Sequence, residues 1–259
     1  MNAPADFLKM SGRVALVTGG ARNIGRACVL RLAQAGALVV IADPLEGESH
    51  AVALEVEALG GQALPLALDI ADRASVEAAV SATVERFGSL DILVNNAAKF
   101  SSLTYKPMEE IPQDEWDEVI HTNITGTFQC VRAALPHMKR KQWGRVVNIS
   151  SGTYRMGRPW FLHYVSSKAA MMGMSRSMAR ELGPHGITVN TVLPGVVLHG
   201  LQASRLPQDY QDMIRGMQCI PESLPCEAIA DAVAFLSSEA ARFVTGQELA
   251  VDGGLTHGG

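Results

Sequence analysis

The chain has 259 residues, 47% hydrophobic and only 5% aromatic, with 22 Lys plus Arg against 26 Asp plus Glu for a formal net charge of −4. With no long run of one sign, that balance gives no support to a nucleic-acid or anionic-membrane partner, and the abundance of Ala, Val, Leu and Gly excludes a disordered or fibrous chain while suiting a parallel sheet buried between helices. No apolar stretch approaches the roughly 18 residues that a membrane helix requires, and residues 1–12 lack a basic segment followed by an apolar core, so a cytoplasmic protein is expected.

The first apolar run, 14–17, reads as a strand and ends in Thr18-Gly19-Gly20-Ala21-Arg22-Asn23-Ile24-Gly25, from which a helical pattern continues to residue 35. A dinucleotide needs close backbone approach and free amide donors at a helix N-terminus, and this turn can supply both, although a glycine-rich turn can also be plain packing. Asn23 stands where another glycine would be expected, and Asn is among the few residues that tolerate positive φ.

The second strand pattern, 38–42, is closed by Asp43, about 20 residues beyond the turn, where a carboxylate can bind both ribose hydroxyls and repel a 2′-phosphate. Arg22 pulls the other way, because a guanidinium in the turn can pair with that phosphate. NAD is favoured over NADP: Asp43 would have to swing away or protonate to admit the phosphate, whereas Arg22 can simply point to solvent. The plainer alternative for Asp43 is a turn residue ahead of Pro44.

Beyond it, helical patterns at 46–59, 74–87, 113–139 and 163–182 alternate with strand patterns at 63–67, 92–94, 145–149, 188–192 and 248–251. Such a beat is that of repeated βαβ units. Gly36, Gly60, Gly88 and Gly183 each fall just past a helix, where a left-handed cap is expected. With no linker or repeat, the whole chain, 1–259, reads as one α/β domain: a doubly wound Rossmann fold with a seven-stranded parallel sheet and helices on both faces. Residues 196–224, with Pro207 and Pro221 and no clear strand, read as a substrate lid. Cys28, Cys130, Cys219 and Cys226 have no CxxC or metal-like spacing, so no metal and no disulfide framework are expected, only buried reduced thiols.

Tyr164 and Lys168 are four apart in a helical pattern and therefore share a face, one turn apart. A phenol is a poor base at neutral pH, and a nearby ammonium favours the phenolate, so the pair suits proton transfer at an alcohol oxygen. Ser150 and Ser151 end the strand 145–149 at the sheet edge where ligands bind, and a hydroxyl there can hold a substrate oxygen. Asn95 and Asn96 end another strand at that edge, and Asn123 sits inside a helical pattern that does not favour it; each of the three also reads as a cap or a satisfied polar group.

The order TGGARNIG, Asp43, Asp69-Ile70, NNAA at 95–98, Asn123, Ser151, YVSSK at 164–168 and Pro194-Gly195 resembles the short-chain dehydrogenase/reductase family over nearly the whole chain, to Asp252-Gly253-Gly254. The resemblance implies Ser151 rather than Ser150 as catalytic serine, with Tyr164 as acid/base, Lys168 also on the nicotinamide ribose, and Asn123 carrying a structural water. It implies a cofactor site of Gly19, Arg22, Asn23, Ile24, Gly25 and Asp43, with Asp69 and Ile70 flanking the adenine, Asn95 and Ala97 lining the cleft, and Pro194, Gly195 and Val197 beyond the sixth strand. A homotetramer is implied as well, to which the apolar helix 228–236 and the tail 253–259 can contribute. Asn23 departs from the family's middle glycine, and His199 falls where a threonine often contacts the carboxamide.

The segments 153–161 and 196–217 are expected to border the substrate, through Tyr154, Met156, Trp160, Phe161, Leu198, Leu201, Met213 and Met217, or to form lid core and subunit contacts. That lining favours an apolar, cyclic or aromatic secondary alcohol, oxidised to the ketone with NAD. The stretch 143–168 is similar to bacterial dehydrogenases of aryl-alkyl or cyclic terpenoid alcohols. The alternatives are a 3-oxoacyl carrier-protein reductase, whose resemblance is to an NADPH-using branch, and a non-catalytic nucleotide-binding regulator on the same fold.

Overall fold

The computed structural model describes residues 8–197 and 207–257. Seven parallel strands form one sheet: β1 (Val14–Thr18), β2 (Leu38–Ala42), β3 (Ala63–Leu66), β4 (Ile92–Asn95), β5 (Gly144–Ile149), β6 (Ile187–Pro194) and β7 (Glu248–Val251), in the spatial order β3-β2-β1-β4-β5-β6-β7. The order reverses between β1 and β4, and such a switch opens a crevice at the carboxyl ends of the strands. The fold is the single-domain doubly wound Rossmann architecture expected from the sequence.

Helices cover both faces because successive strand residues point to opposite sides. Ala15, Val17, Val39, Ile41, Ile92 and Val94 pack against α1 (Asn23–Gln34), α2 (Glu46–Ala58) and α9 (Cys226–Ser237), represented by Leu32, Val56 and Ile229. Their neighbours Val14, Leu16, Val40 and Leu93 face α3 (Arg73–Phe87), α5 (Thr127–Lys141) and α7 (Leu162–Leu182), through Val80, Ala134 and Leu182. Each fully buried aliphatic side chain contributes about 1.5–3 kcal/mol, so continuous apolar strands are what a two-sided sheet demands.

Several local features differ from the sequence reading. The pattern 113–139 is not one helix: α4 (Gln113–Ile120) passes through a π-helical turn at His121–Gly126 into α5. A short α6 (Thr153–Met156) follows β5, and the described part of the expected lid contains α8 (Gln208–Met217). Gly36, Gly60 and Gly88 take positive φ, but Gly183 is helical at φ −50°, because Pro184 prolongs α7 by a 3-10 turn and the left-handed stop moves to Gly186 at φ 69°. Cys28, Cys130 and Cys226 are buried free thiols, whereas Cys219 is exposed, contrary to expectation. No helix among the described residues is long and apolar enough to cross a membrane.

Candidate active site

The turn after β1 folds back on itself. Gly19 takes φ 63°, and a Cβ on Gly25 would stand 1.9 Å from the Gly19 carbonyl oxygen, so no side chain fits there. Asn23 adopts φ 46°, the positive value for which its side chain suits it. Arg22, the N-cap residue of α1, is extended and makes no side-chain cap, and no acidic residue lies in the first turn. The amides at this helix start are therefore available to an anion, in a cradle that a Cβ would fill. These residues fit the pyrophosphate of a dinucleotide.

Thr18 and Asn96, which sequence reasoning did not single out for this purpose, hold the turn. Thr18 Oγ1 accepts the N–H groups of Asn96 and Ala97 at 3.0 and 3.1 Å, and Asn96 Nδ2 donates to the carbonyls of Thr18 and Gly19 at 3.1 and 2.9 Å. Asn95 instead turns its side chain into the sheet. Nδ2 donates to Asn148 Oδ1 at 2.8 Å, its direct register partner on β5, and the side chain is buried, so only the backbone of Asn95 is left to face the crevice.

Asp43, also buried, accepts the N–H of Ala21 at 3.2 Å through Oδ2 and that of Leu45 at 3.0 Å through Oδ1. Backbone donors on two separate loops thus fix the carboxylate beside the turn. Arg22 is held by Glu48 of α2. Asp69 caps its own turn through Ala71 N–H at 2.9 Å, and Ile70 is buried against Gly126 of the π-helical turn, where a Cβ would meet the Ile70 carbonyl at 2.9 Å.

At the same edge, three chemical groups converge. Tyr164 and Lys168 lie one turn apart on α7, both buried, with the Lys168 Nζ 5.7 Å from the Tyr164 ring centroid and donating to the Ile149 carbonyl at 2.8 Å. Ser151 neighbours the Tyr164 phenol and favours its ionised form, while its Oγ accepts the Thr153 N–H at 3.2 Å and the Thr153 hydroxyl at 3.0 Å. Ser150 instead donates to the Lys168 carbonyl at 2.8 Å and so braces β5 against α7.

The electrostatics reverse one expectation. Burial pushes the Tyr164 phenol well above its ordinary value, with neighbouring Ser151 pulling the other way, and burial lowers Lys168 to about 7. In the protein alone, desolvation dominates both groups, so the phenol is protonated at neutral pH and the charged form of the amine is disfavoured.

Asn123 lies in the π-helical turn, a feature frequent at functional sites. Its Oδ1 accepts Lys99 N–H at 2.7 Å and its Nδ2 donates to Ser167 Oγ at 3.0 Å, tying the segment after β4 to α7. A second link was invisible in the sequence. His163, fully buried beside Tyr164, accepts the Tyr164 backbone N–H on Nδ1 at 2.8 Å and meets Glu115 with Nε2 at 3.0 Å, while Lys106 binds the other Glu115 oxygen at 3.0 Å. Partial burial pushes Glu115 up, but its hydrogen bonds with Lys106 and His163 win and hold it below the usual carboxylate value.

An aromatic wall stands over Tyr164: the Phe100 and Phe161 rings lie 5.0 and 4.9 Å from it, and Tyr105 packs on Phe161 at 4.8 Å. Two expected substrate contacts are not in that wall. Trp160, at φ 60°, leaves its ring 63% exposed and only its carbonyl is engaged, by Lys106 N–H. Tyr154 donates its hydroxyl to Glu248 and packs against Met171, Met172 and Leu193. Pro194 accepts Gly152 N–H, Gly195 backs onto Asp252, and the Val197 side chain joins the α9 core beside Leu224. Leu198, His199 and Leu201 lie outside the described residues.

The family model described as enoyl-(acyl carrier protein) reductase matches residues 19–256. The chain belongs to the short-chain dehydrogenase/reductase family. Among similar short-chain dehydrogenases/reductases, the 3-oxoacyl-[acyl-carrier-protein] reductase FabG of Staphylococcus aureus strain N315 is 37% identical over 249 residues, covering 96% of this chain and 99% of the relative. The (2S)-[(R)-hydroxy(phenyl)methyl]succinyl-CoA dehydrogenase subunit BbsD of Thauera aromatica is 38% identical, with 95% and 97% covered. The hydroxysteroid dehydrogenase structure from Escherichia coli superposes with a TM-score of 0.88 at 30% identity, covering 98% of this chain and all of that one.

Proposed function

We propose that this enzyme interconverts a secondary alcohol and its ketone using NAD, with Tyr164, Ser151, Lys168 and Asn123 as its catalytic group. The observation that carries the reading is the meeting of a buried phenol, with a serine beside it, and a buried amine one helical turn away, at the sheet edge that also holds an anion cradle. Nicotinamide, when bound, exchanges the hydride with the carbinol carbon. Ser151 fixes the substrate oxygen, and Tyr164 donates its phenolic proton to that oxygen in reduction and takes it back in oxidation. A protonated phenol at neutral pH suits the reductive direction. Phe100 and Phe161 exclude water from the phenol, and Asn123 keeps the loop after β4 against α7.

The choice of NAD rests on Asp43, whose two backbone hydrogen bonds oppose the displacement that a 2′-phosphate would require, and on the pairing of Arg22 with Glu48. A homotetramer working in the cytoplasm accompanies this reading, with exposed Phe235 and Leu249 on α9 and β7 as candidate contacts.

For the substrate, the names of the relatives lean to the reading held second from sequence. The names of the 3-oxoacyl reductase and the hydroxy(phenyl)methylsuccinyl-CoA dehydrogenase both denote substrates with an oxygen on a carbon β to an acyl carbonyl. We therefore propose a β-oxygenated acyl derivative with an apolar or aromatic substituent, which keeps the secondary alcohol and uses the Phe100, Tyr105 and Phe161 wall. Following reduced-cofactor absorbance with 3-oxoacyl thioesters, plain aryl-alkyl ketones and cyclic alcohols, each with NADH or NADPH as donor or NAD or NADP as acceptor, tests the proposal. Silence with every pair would leave the non-catalytic regulator as the better account, and faster turnover with NADPH would overturn the cofactor assignment.

A further inference from the structure

Partly buried charges persist in folded proteins when they are paired. The described arginines of this enzyme follow that rule with one exception. Arg13, Arg26, Arg31, Arg145, Arg155 and Arg215, each at least partly buried, all meet a carboxylate. Arg158 is also partly buried, yet no carboxylate among the described residues pairs with it. Its guanidinium lies 4.8 Å from the Tyr105 ring centroid and 4.9 Å from that of Tyr210, whose hydroxyl accepts its hydrogen bond. Aromatic faces stabilise a cation without neutralising it.

Position makes the exception informative. Arg158 lies in the loop between Ser151 and Tyr164, Tyr105 comes from the segment after β4, and Tyr210 belongs to α8 in the expected lid. The Tyr105 ring that Arg158 touches packs on Phe161, and Phe161 packs on Tyr164. The unneutralised cation thus stands at the outer end of the aromatic wall whose inner end is the phenol.

We propose that Arg158 is a substrate-specificity residue that binds an anionic group, carboxylate or phosphate, carried by the substrate beyond its apolar part. This rests on the alcohol–ketone reading of the site above. A planar guanidinium resting against two rings, with one nitrogen donating to Tyr210, has further donors in the fork that carboxylate and phosphate oxygens match. The substrate class that follows is a secondary alcohol or ketone with an apolar or aromatic middle and an anion at its far end.

The test compares 4-(1-hydroxyethyl)benzoate, its methyl ester and its coenzyme A thioester as substrates of the wild type, Arg158→Gln and Arg158→Lys. If the free carboxylate is the bound group, the kcat/KM ratio of acid to methyl ester falls about 10- to 100-fold in Arg158→Gln, mainly through KM, and recovers partly in Arg158→Lys. If the phosphates of the thioester supply it, the ratio of thioester to ester falls instead. Ratios that stay constant while all three substrates slow together overturn the proposal and make Arg158 a latch between loop and lid. Calorimetric binding of 3-phenylpropanoate, 3-phenylpropanamide and coenzyme A to the NADH-loaded enzyme reads the same question without turnover. Wild-type preference for either anion over the amide, lost in Arg158→Gln, supports the anion site even if no alcohol is oxidised, an outcome that would defeat the catalytic reading alone. Equal affinities in wild type and variants overturn the anion site.

Discussion

The Nδ1 of His163 accepts the backbone N–H of Tyr164 at 2.8 Å, and its Nε2 faces Glu115 at 3.0 Å. With Nδ1 serving as acceptor, the ring proton resides on Nε2 and is donated to Glu115, so two hydrogen bonds fix one tautomer of a fully buried ring. Through it, the backbone at Tyr164 is tied to the segment that carries Tyr105 and Lys106. His163 is thus a positioning residue. In His163→Phe, kcat falls about 10- to 100-fold while the dissociation constant of NADH stays within about 3-fold, because the misplaced phenol and not the cofactor cradle is affected. Glu115→Gln, which keeps an acceptor for Nε2, retains most of the activity. Equal losses of kcat and NADH affinity in His163→Phe would show that the ring merely fills space.

Tyr164→Phe removes the proton carrier and leaves the aromatic wall. Turnover falls about 100- to 10,000-fold, with NADH binding near normal in a fluorescence titration. A variant that still turned over at a tenth of the wild-type rate would end the assignment of Tyr164 as acid/base.

Lys168 gives a stability prediction with a definite sign. Burial lowers its amine to about 7 from an ordinary 10.5, so the unfolded chain holds a proton that the folded protein lacks between those values. The cost of burying the ammonium is fully present below pH 7 and fades as pH rises toward 10.5. Lys168→Met removes that cost: at pH 7 the variant is inactive yet at least as stable as the wild type in urea. Its advantage shrinks by roughly 1 kcal/mol per pH unit on going to higher pH. An advantage independent of pH would contradict this account.

Asp43→Ser removes the fixed charge beside the turn and an acceptor of Ala21 or Leu45 N–H. The preference for NADH over NADPH shrinks at least 10-fold, and the protein loses about 1–3 kcal/mol of stability. Both are read from paired kinetics and denaturation curves, and an unchanged preference would remove Asp43 from cofactor selection.

Gly25→Ala places a methyl group against the Gly19 carbonyl, so the turn must open. Loss of about 3 kcal/mol and of measurable NADH binding is expected, whereas Asn23→Gly, at a φ that glycine accepts freely, leaves both near wild type.

The sheet and the catalytic helix were legible in the sequence because their signals are periodic and local. Apolar runs such as Leu38–Ala42 can only be buried strands, and Tyr164 with Lys168 must share a helical face. The π-helical turn was hidden because apolar spacing continues across it with a shift of one residue. Gly183 misled because the proline after it prolongs the helix. Tyr154 and Trp160 lie in a short helix and a loop, where no long period says which way a ring points, and both turned away while Phe161 turned in. Asn95 shares its strand with residues facing both ways, and its register with Asn148 is a tertiary fact. His163 and Arg158 carry no local pattern: their meaning comes from Glu115, Tyr105 and Tyr210, each distant in the chain.

The π-helical turn at His121–Gly126 has a consequence for how this wall tolerates change. A π bulge holds one residue more than the α-helix it interrupts, so deleting a single residue there would let α4 and α5 fuse into one regular helix. The two halves would keep their facing, because the bulge is what absorbs the extra residue, but the widened turn that carries Asn123 and Gly126 would close. Asn123, which braces Lys99 and Ser167, and Gly126, which lies flat on the Ile70 carbonyl, could not both keep their places. Shortening the chain at this point would uncouple the Ile70 side of the crevice from the Ser167 side.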